Sequence, residues 1–163
     1  MRVQEMMTGN ATACTPTATL ADAAGFMWEN DCGVLPVVTE GGKVVGLITD
    51  RDICMAAALN NRNLSNIAVE EVISGNVYSV APEDDIHKAL ETMQDCKVRR
   101  LAVVSADGTL EGILSMNDIV LQAQEAKDKR GSGVAYGDII EAYKAICAHR
   151  LPAEQERAAS AGA

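Results

Sequence analysis

Two short runs carry the groups best suited to chemistry. In GLITDRD (46–52) Thr49 stands three residues before Asp52, and in GILSMND (112–118) Ser115 stands three residues before Asp118. Each run sets a hydroxyl where an apolar strand gives way to a helix, and a carboxylate on the same side in the first helical turn. A hydroxyl beside unpaired helix N–H groups suits a phosphate, and a carboxylate one turn on suits a pair of vicinal hydroxyls. Arg51, Lys97, Arg99 and Arg100 are placed to offset phosphate charge. Val37, Val38, Val103 and Val104, with the backbone of ACTP (13–16) and SVAP (79–82), offer apolar walls and hydrogen-bonding edges for a purine. Together these are the ends of a ribonucleotide. The same [ST]-x-x-[DE] pattern is also an ordinary capping box, and the basic cluster alternatively reads as a solvated strand edge.

Other chemistry is poorly served. The five cysteines (Cys14, Cys32, Cys54, Cys96, Cys147) form an odd set without a C-x-x-C pair, which argues against a disulfide framework or a zinc ribbon. They read as small hydrophobes in a reducing compartment, with a redox role through Cys32 or Cys96 as a minor alternative. His87 is isolated, and Cys147 with His149 lacks the second cluster that a metal site needs. No nucleophile with a positioned base is evident, so catalysis is not expected, although Asp52 or Asp118 has the chemistry of a base.

The elements that position the two runs come from a duplication. Sliding the chain by 66 residues aligns 3–53 with 69–119 without a gap, and 14 of 51 pairs are identical, among them Gly42/Gly108, Gly46/Gly112 and Asp52/Asp118. Each copy reads as an entry segment ending at Pro16 or Pro82, then a helix with Thr19 or Asp84 as N-cap. Leu20, Ala23 and Met27 line one face of the first such helix, and Ile86, Ala89, Leu90 and Met93 that of its counterpart. A hairpin follows (VLPVVT to KVVGLIT; RLAVVS to TLEGILS), with Gly42 and Gly108 at turn positions of positive φ. A second helix begins near Asp50 or Met116, carrying Ile53, Met55 and Ala56, or Ile119, Val120 and Ala123. The fold class is α/β (α+β), two β-α-β-β-α units. One unit of about 50 residues is too small to shield both faces of its sheet, so the copies must pack together.

Composition narrows the function. Only five residues are aromatic and the formal charge is −9, which disfavours stacking on single strands and neutralisation of phosphate backbones; no nucleic acid is expected. No apolar run of bilayer length occurs and MRVQEMMTGN lacks an apolar signal core, so a cytoplasmic protein without membrane contact is expected.

On the two in-register copies of hydrophobic-[PA]-V-V, Gly turn and G-h-h-[ST]-x-x-D, residues 3 to about 125 resemble a tandem pair of cystathionine β-synthase (CBS) domains, a Bateman module. The resemblance implies repeats at 1–66 and 67–125 related by a pseudo-twofold axis, with clefts between them that take AMP, ADP, ATP, S-adenosylmethionine or NAD. It implies a non-catalytic sensor that needs no cofactor, pairs as a homodimer and signals occupancy to an effector protein. Residue by residue, it assigns ribose hydroxyls to Asp52 and Asp118, ribose or phosphate to Thr49 and Ser115, phosphate to Arg51, and the adenine-reading region to Thr15 and Val80. Val37, Val103, Arg100 and Asn117 complete the expected nucleotide site. Ala102 in place of Pro36 and Asn117 in place of Arg51 imply that the two clefts differ. The alternative is a structural dimerisation module with non-functional clefts.

The remainder, 126–163, reads as a charged and Gly/Ser-rich linker, an amphipathic helix with Ile139, Ile140, Tyr143, Ile146 and Cys147 on its stripe, and a disordered tail after Pro152. The helix is expected to pack on the module or across a dimer contact, with docking of an effector as the alternative.

Overall fold

The computed structural model describes residues 1–73, 75–123 and 133–148. Of the expected linker EAKDKRGSGV (125–134) all but Gly133 and Val134 lies outside them, as do His149 and the tail.

Each repeat builds a helix, a hairpin and a second helix: α1 (Leu20–Glu29), β2 (Val34–Val38), β3 (Val44–Thr49) and α2 (Asp50–Leu59), then α3 (Ile86–Cys96), β5 (Arg100–Val104), β6 (Leu110–Ser115) and α4 (Met116–Gln122). The entry segments supply β1 (Thr8–Gly9) and β4 (Ser79–Val80), and α5 (Tyr136–Cys147) closes the chain. Both hairpins are antiparallel, with one irregularity each, after Val37 and after Val103. Their turns use Gly42 at φ 76° and Gly108 at φ 83°, the left-handed region that glycine enters without a Cβ clash. In the second repeat β4 pairs in parallel with β5, and in the first the same edge is held by a parallel bridge from Cys14 to Val37.

Helix starts follow from side chains. Thr19 caps α1 as expected, its hydroxyl accepting from Asp22 N–H at 3.1 Å. In the second copy the cap is Asp85, not Asp84: Asp85 accepts from His87 N–H at 2.9 Å, while Asp84 turns back to accept from Ala81 N–H. Asp85 is also the residue that the 66-residue register sets opposite Thr19.

Two hydrophobic cores result, and they do not follow the chain order. Val3 and Met6 are buried with Leu90, Met93, Leu101 and Ile119 of the second repeat, while Ile67 and Val69 are buried with Leu20, Leu35, Ile48 and Ile53 of the first. The start of each entry segment therefore seals the other repeat, while its end, at Cys14 or Val80, stays with its own. Burying a residue such as Leu101 or Ile48 completely contributes about 1.5–3 kcal/mol. β1 runs antiparallel beside β6, opposing Gly9 to Gly112, and a Cβ on Gly112 would lie 2.5 Å from the Thr8 carbonyl oxygen. Gly112 is thus required by a close backbone approach. Gly46, its counterpart, faces Ile73 in the same way, at 2.8 Å from Cδ1.

Four expected face residues point outward: Met55 is 47% exposed, Val120 42% and Ile140 60%, and Cys147 is exposed as well. Ile53, Ala56, Ile119, Ile139 and Ala142 fill the buried positions instead. α5 packs on the second repeat against α3 and α4, so Val134, Ile139 and Ala142 join that core, with Tyr143 and Ile146 against it.

Candidate functional site

Thr49 and Ser115 do begin helices, and their hydroxyls work locally. Thr49 N–H and Oγ1–H both donate to Asp52 Oδ2, at 2.9 and 2.7 Å, and Asp52 N–H donates back to Oγ1 at 3.2 Å. Ser115 repeats this with Asp118 Oδ2 at 2.7 and 2.6 Å, and with the return bond at 3.3 Å. Both motifs are reciprocal capping boxes. The hydroxyls expected to touch ribose or phosphate already donate their protons to the carboxylates. Each carboxylate uses only Oδ2 in these bonds; among the described residues no hydrogen bond involves Oδ1 of either aspartate. A half-used carboxylate in the first helical turn can still accept from a diol.

The second of these motifs opens onto a cavity of about 520 Å³ between the repeats. The first repeat contributes Thr8, Asn10 to Thr12 and the loop from Asn30 to Gly33; the second contributes Arg99, Arg100, Ile113 and Ser115 to Asp118; α5 adds Tyr143. The backbone carbonyl of Arg99 accepts from Met116 N–H and Arg100 pairs with Ser115 in the β5–β6 ladder, but among the described residues neither guanidinium group enters a hydrogen bond or ion pair, so both side chains line the space with their donors unspent. A phosphate there would be held by charge-assisted, potentially bidentate bonds. α4 has only seven residues, so these side chains rather than its dipole supply the positive field.

Of the expected site residues, the cavity brings together Arg100, Ser115, Asn117 and Asp118. Thr49, Arg51 and Asp52 lie at the start of α2, the position related to this motif by the duplication, and Thr15 is exposed with its hydroxyl 3.3 Å from that of Thr17; none of the four lines the cavity. Val37 and Val103, expected as purine-facing walls, are buried in the two cores, and Val80, expected in the adenine-reading region, is buried as well; none of the three lines the cavity. β2 and β5 are covered on both faces, so alternation does not bring these valines to a cleft. Sequence reasoning missed Asn10, Asn30 and Tyr143. Asn10 left a signal, since it is identical to Asn76 and adopts φ 50°, a backbone state that asparagine tolerates.

Among the described residues no group of three or more His, Cys, Asp or Glu is arranged to hold a metal ion, and no helix is long and apolar enough to cross a membrane. His87 Nδ1 lies 2.9 Å from Asp85 and Nε2 3.6 Å from Asp138, which ties α3 to the start of α5. Cys14 is buried, and burial pushes its thiol up to about 11.

Two duplicated α/β units joined around a polar cleft define a paired-repeat module. The chain belongs to the CBS domain family, which matches residues 3–59 and 69–124, two domains in tandem. A 17.7 kDa protein of Acidianus ambivalens is 30% identical over 82% of this chain and 85% of its own. The CBS domain-containing protein YhcV of Bacillus subtilis is 30% identical over 81% and 91%. Among solved structures, Hypoxic Response Protein I with two coordinated zinc ions superposes with a TM-score of 0.68 at 28% identity, over 74% of this chain and 98% of that one. CBSX2 in complex with AMP superposes at 0.64 with 25% identity, over 74% and 93%. A homoserine O-acetyltransferase of Methanohalobium evestigatum is 31% identical over 72% of this chain but only 23% of its own length, so the likeness touches a small part of that enzyme.

Proposed function

We propose that this protein is a non-catalytic sensor that binds an adenosine nucleotide in the cleft between its CBS repeats and passes occupancy on as a shift between two arrangements of the module. The observation that carries this reading is the convergence, on one cavity, of Arg99 and Arg100 with Asp118, whose Oδ1 atom stays available. The guanidinium groups take phosphate, Asp118 takes the ribose diol, and Asn117 offers a further amide. AMP, ADP and ATP fit this charge pattern better than S-adenosylmethionine, whose sulfonium would meet the same cations. The AMP complex of CBSX2 supports the choice of ligand class. The cleft is lined by both repeats, so a ligand that contacts both biases their relative placement by its differential affinity.

A panel of AMP, ADP, ATP, NAD and S-adenosylmethionine in thermal unfolding tests the reading. A ligand at a hundred times its Kd stabilises the protein by about 2.7 kcal/mol. Arg100→Ala and Asp118→Asn should each erase the shift; Asp52→Asn, in the other motif, should leave it. The second reading, a structural pair whose motifs serve only as helix caps, is favoured by the filled capping boxes and gives unchanged melting with every compound.

Pairing of two copies belongs to the same proposal. Met55 and Leu121 occupy equivalent positions in the two repeats and are 47% and 85% exposed, with Leu59 at 73% beside the first. A twofold contact across these residues would cover them, and sedimentation of Leu121→Glu against wild type tests it.

A further inference from the structure

One wall of the cleft does not come from the duplication. Both repeats carry a hydroxyl and carboxylate motif, but α5 has no counterpart: 66 residues before it runs the chain that enters the second repeat, including β4 at Ser79–Val80. α5 also lies outside 3–59 and 69–124, the two stretches that match the CBS family. It packs against α3 and α4 through Ile139, Ala142, Tyr143 and Ile146, spaced i, i+3, i+4 and i+7. Ile139 and Ala142 are buried, and at the start of the helix Asp138 Oδ2 stands 3.6 Å from His87 Nε2.

Tyr143 differs from the other three residues of that face. It packs against the second core yet is only half-buried, and among the described residues of α5 it alone lines the cleft. Its hydroxyl enters no hydrogen bond among the described residues, so a phenol donor and acceptor stand at a polar cavity with nothing in the fold assigned to them. The corner that it reaches is rich in donors. The Arg99 carbonyl accepts from Met116 N–H at 3.0 Å, which fixes Arg99 beside the start of α4, and Met116 is buried in the core that Tyr143 packs against. Asn117 follows on α4 and lines the same cavity. Arg99, Asn117 and Tyr143 thus gather around Met116. A phenol beside a guanidinium is best used in donating to the anion that the guanidinium attracts, whereas the diol of a ribose is served by the carboxylate of Asp118.

Resting on the nucleotide reading above, we infer that Tyr143 contacts the bound nucleotide, its hydroxyl donating to a phosphate oxygen held by Arg99, and that the seating of α5 is thereby coupled to occupancy of the cleft. The contact exists only while α5 lies on α3 and α4. Binding therefore favours the seated helix, and the seated helix favours binding by the same factor. α5 becomes an output element of the sensor that neither repeat carries by itself.

The test compares AMP with adenosine, which keeps the base and the diol but lacks the phosphate, by calorimetric titration of the full chain. Tyr143→Phe keeps the ring in its packing and removes only the hydroxyl. It should weaken AMP about tenfold, the loss expected for a hydrogen bond to a charged group, and leave adenosine unchanged. Tyr136→Phe, on the same helix but 57% exposed and away from the cleft, should alter neither. Hydrogen exchange reads the coupling itself: saturating AMP should slow the amides of α5 by about the same tenfold in wild type and by clearly less in Tyr143→Phe. Equal losses with AMP and adenosine place the hydroxyl away from the phosphate and overturn the assignment, as does an unchanged affinity for AMP. Exchange in α5 that ignores AMP overturns the coupling. If AMP, ADP and ATP all fail to bind the wild type, the nucleotide reading is defeated and this inference falls with it.

Discussion

Gly112→Ala tests the crossing of the amino-terminal segment onto the second repeat. The added methyl would lie 2.5 Å from the Thr8 carbonyl oxygen, 3.3 Å from its carbon and 3.1 Å from Met7 Sδ. A methyl cannot sit 2.5 Å from a backbone oxygen, so β1 must move off β6. Overpacking of this kind costs about 1–3 kcal/mol, and at about 2–4 °C per kcal/mol for a chain of this size Tm should fall by about 2–12 °C. The effect should be graded. Gly46→Ala meets first the flexible Cδ1 of Ile73, at 2.8 Å, and should cost less, while Gly9→Ala meets nothing within 4 Å and should be neutral within about 0.5 kcal/mol. Because Thr8 and Asn10 line the cleft between the repeats, Gly112→Ala should also weaken the thermal shift that the proposed function expects from AMP. Chemical denaturation of the three variants gives the ranking. Equal stability of Gly112→Ala and wild type would refute the close approach and the swapped entry segments with it.

Ser115→Ala removes the one hydroxyl that both accepts from Asp118 N–H and donates to its carboxylate, and should destabilise by about 0.5–2 kcal/mol, as should Thr49→Ala, measured by urea unfolding. Leu101→Ala, fully buried, should cost about 2–5 kcal/mol in the same assay. Asp107 is held well below the usual carboxylate range by Lys43 first, then by Ser105 and Thr109. A lowered folded-state pKa gives stability that is present above the unfolded value near 4 and is lost as pH falls through the folded one. Asp107→Asn should therefore flatten the acid limb of Tm against pH below about 4 and leave the neutral region nearly level. Native protein should label rapidly with a thiol reagent at the exposed Cys54 and Cys147 at pH 8, and Cys14 only on unfolding, as mass spectrometry of the labelled peptides would show.

What the sequence exposed and what it hid divide along physical lines. The helices, hairpins and Gly turns were legible because their periods and φ requirements are local, and the 66-residue repeat made each reading twice. The capping boxes were equally legible, though their hydroxyls turned out to be committed. Val37 and Val103 were misplaced because alternation reveals a half-covered strand, and theirs are covered on both faces. Asn30 and Tyr143 reach the cleft from a loop and from α5, at separations that no periodicity spans. The exchange of entry segments left no trace either: Val3 and Val69 are identical, so nothing in their type says which core each one enters.

That exchange sets how the module can move. Val3 and Met6 plug the core of the later repeat and Ile67 and Val69 that of the earlier, so the halves are laced through each other like two links of a chain. Severing the gene between them would leave each product with the other's plug and an open core. Prying the cleft wide would pull both plugs at once, at the expense of both cores. The motion available to the module is therefore a small twist of one link against the other, and it should melt as a single cooperative unit however its cleft is filled.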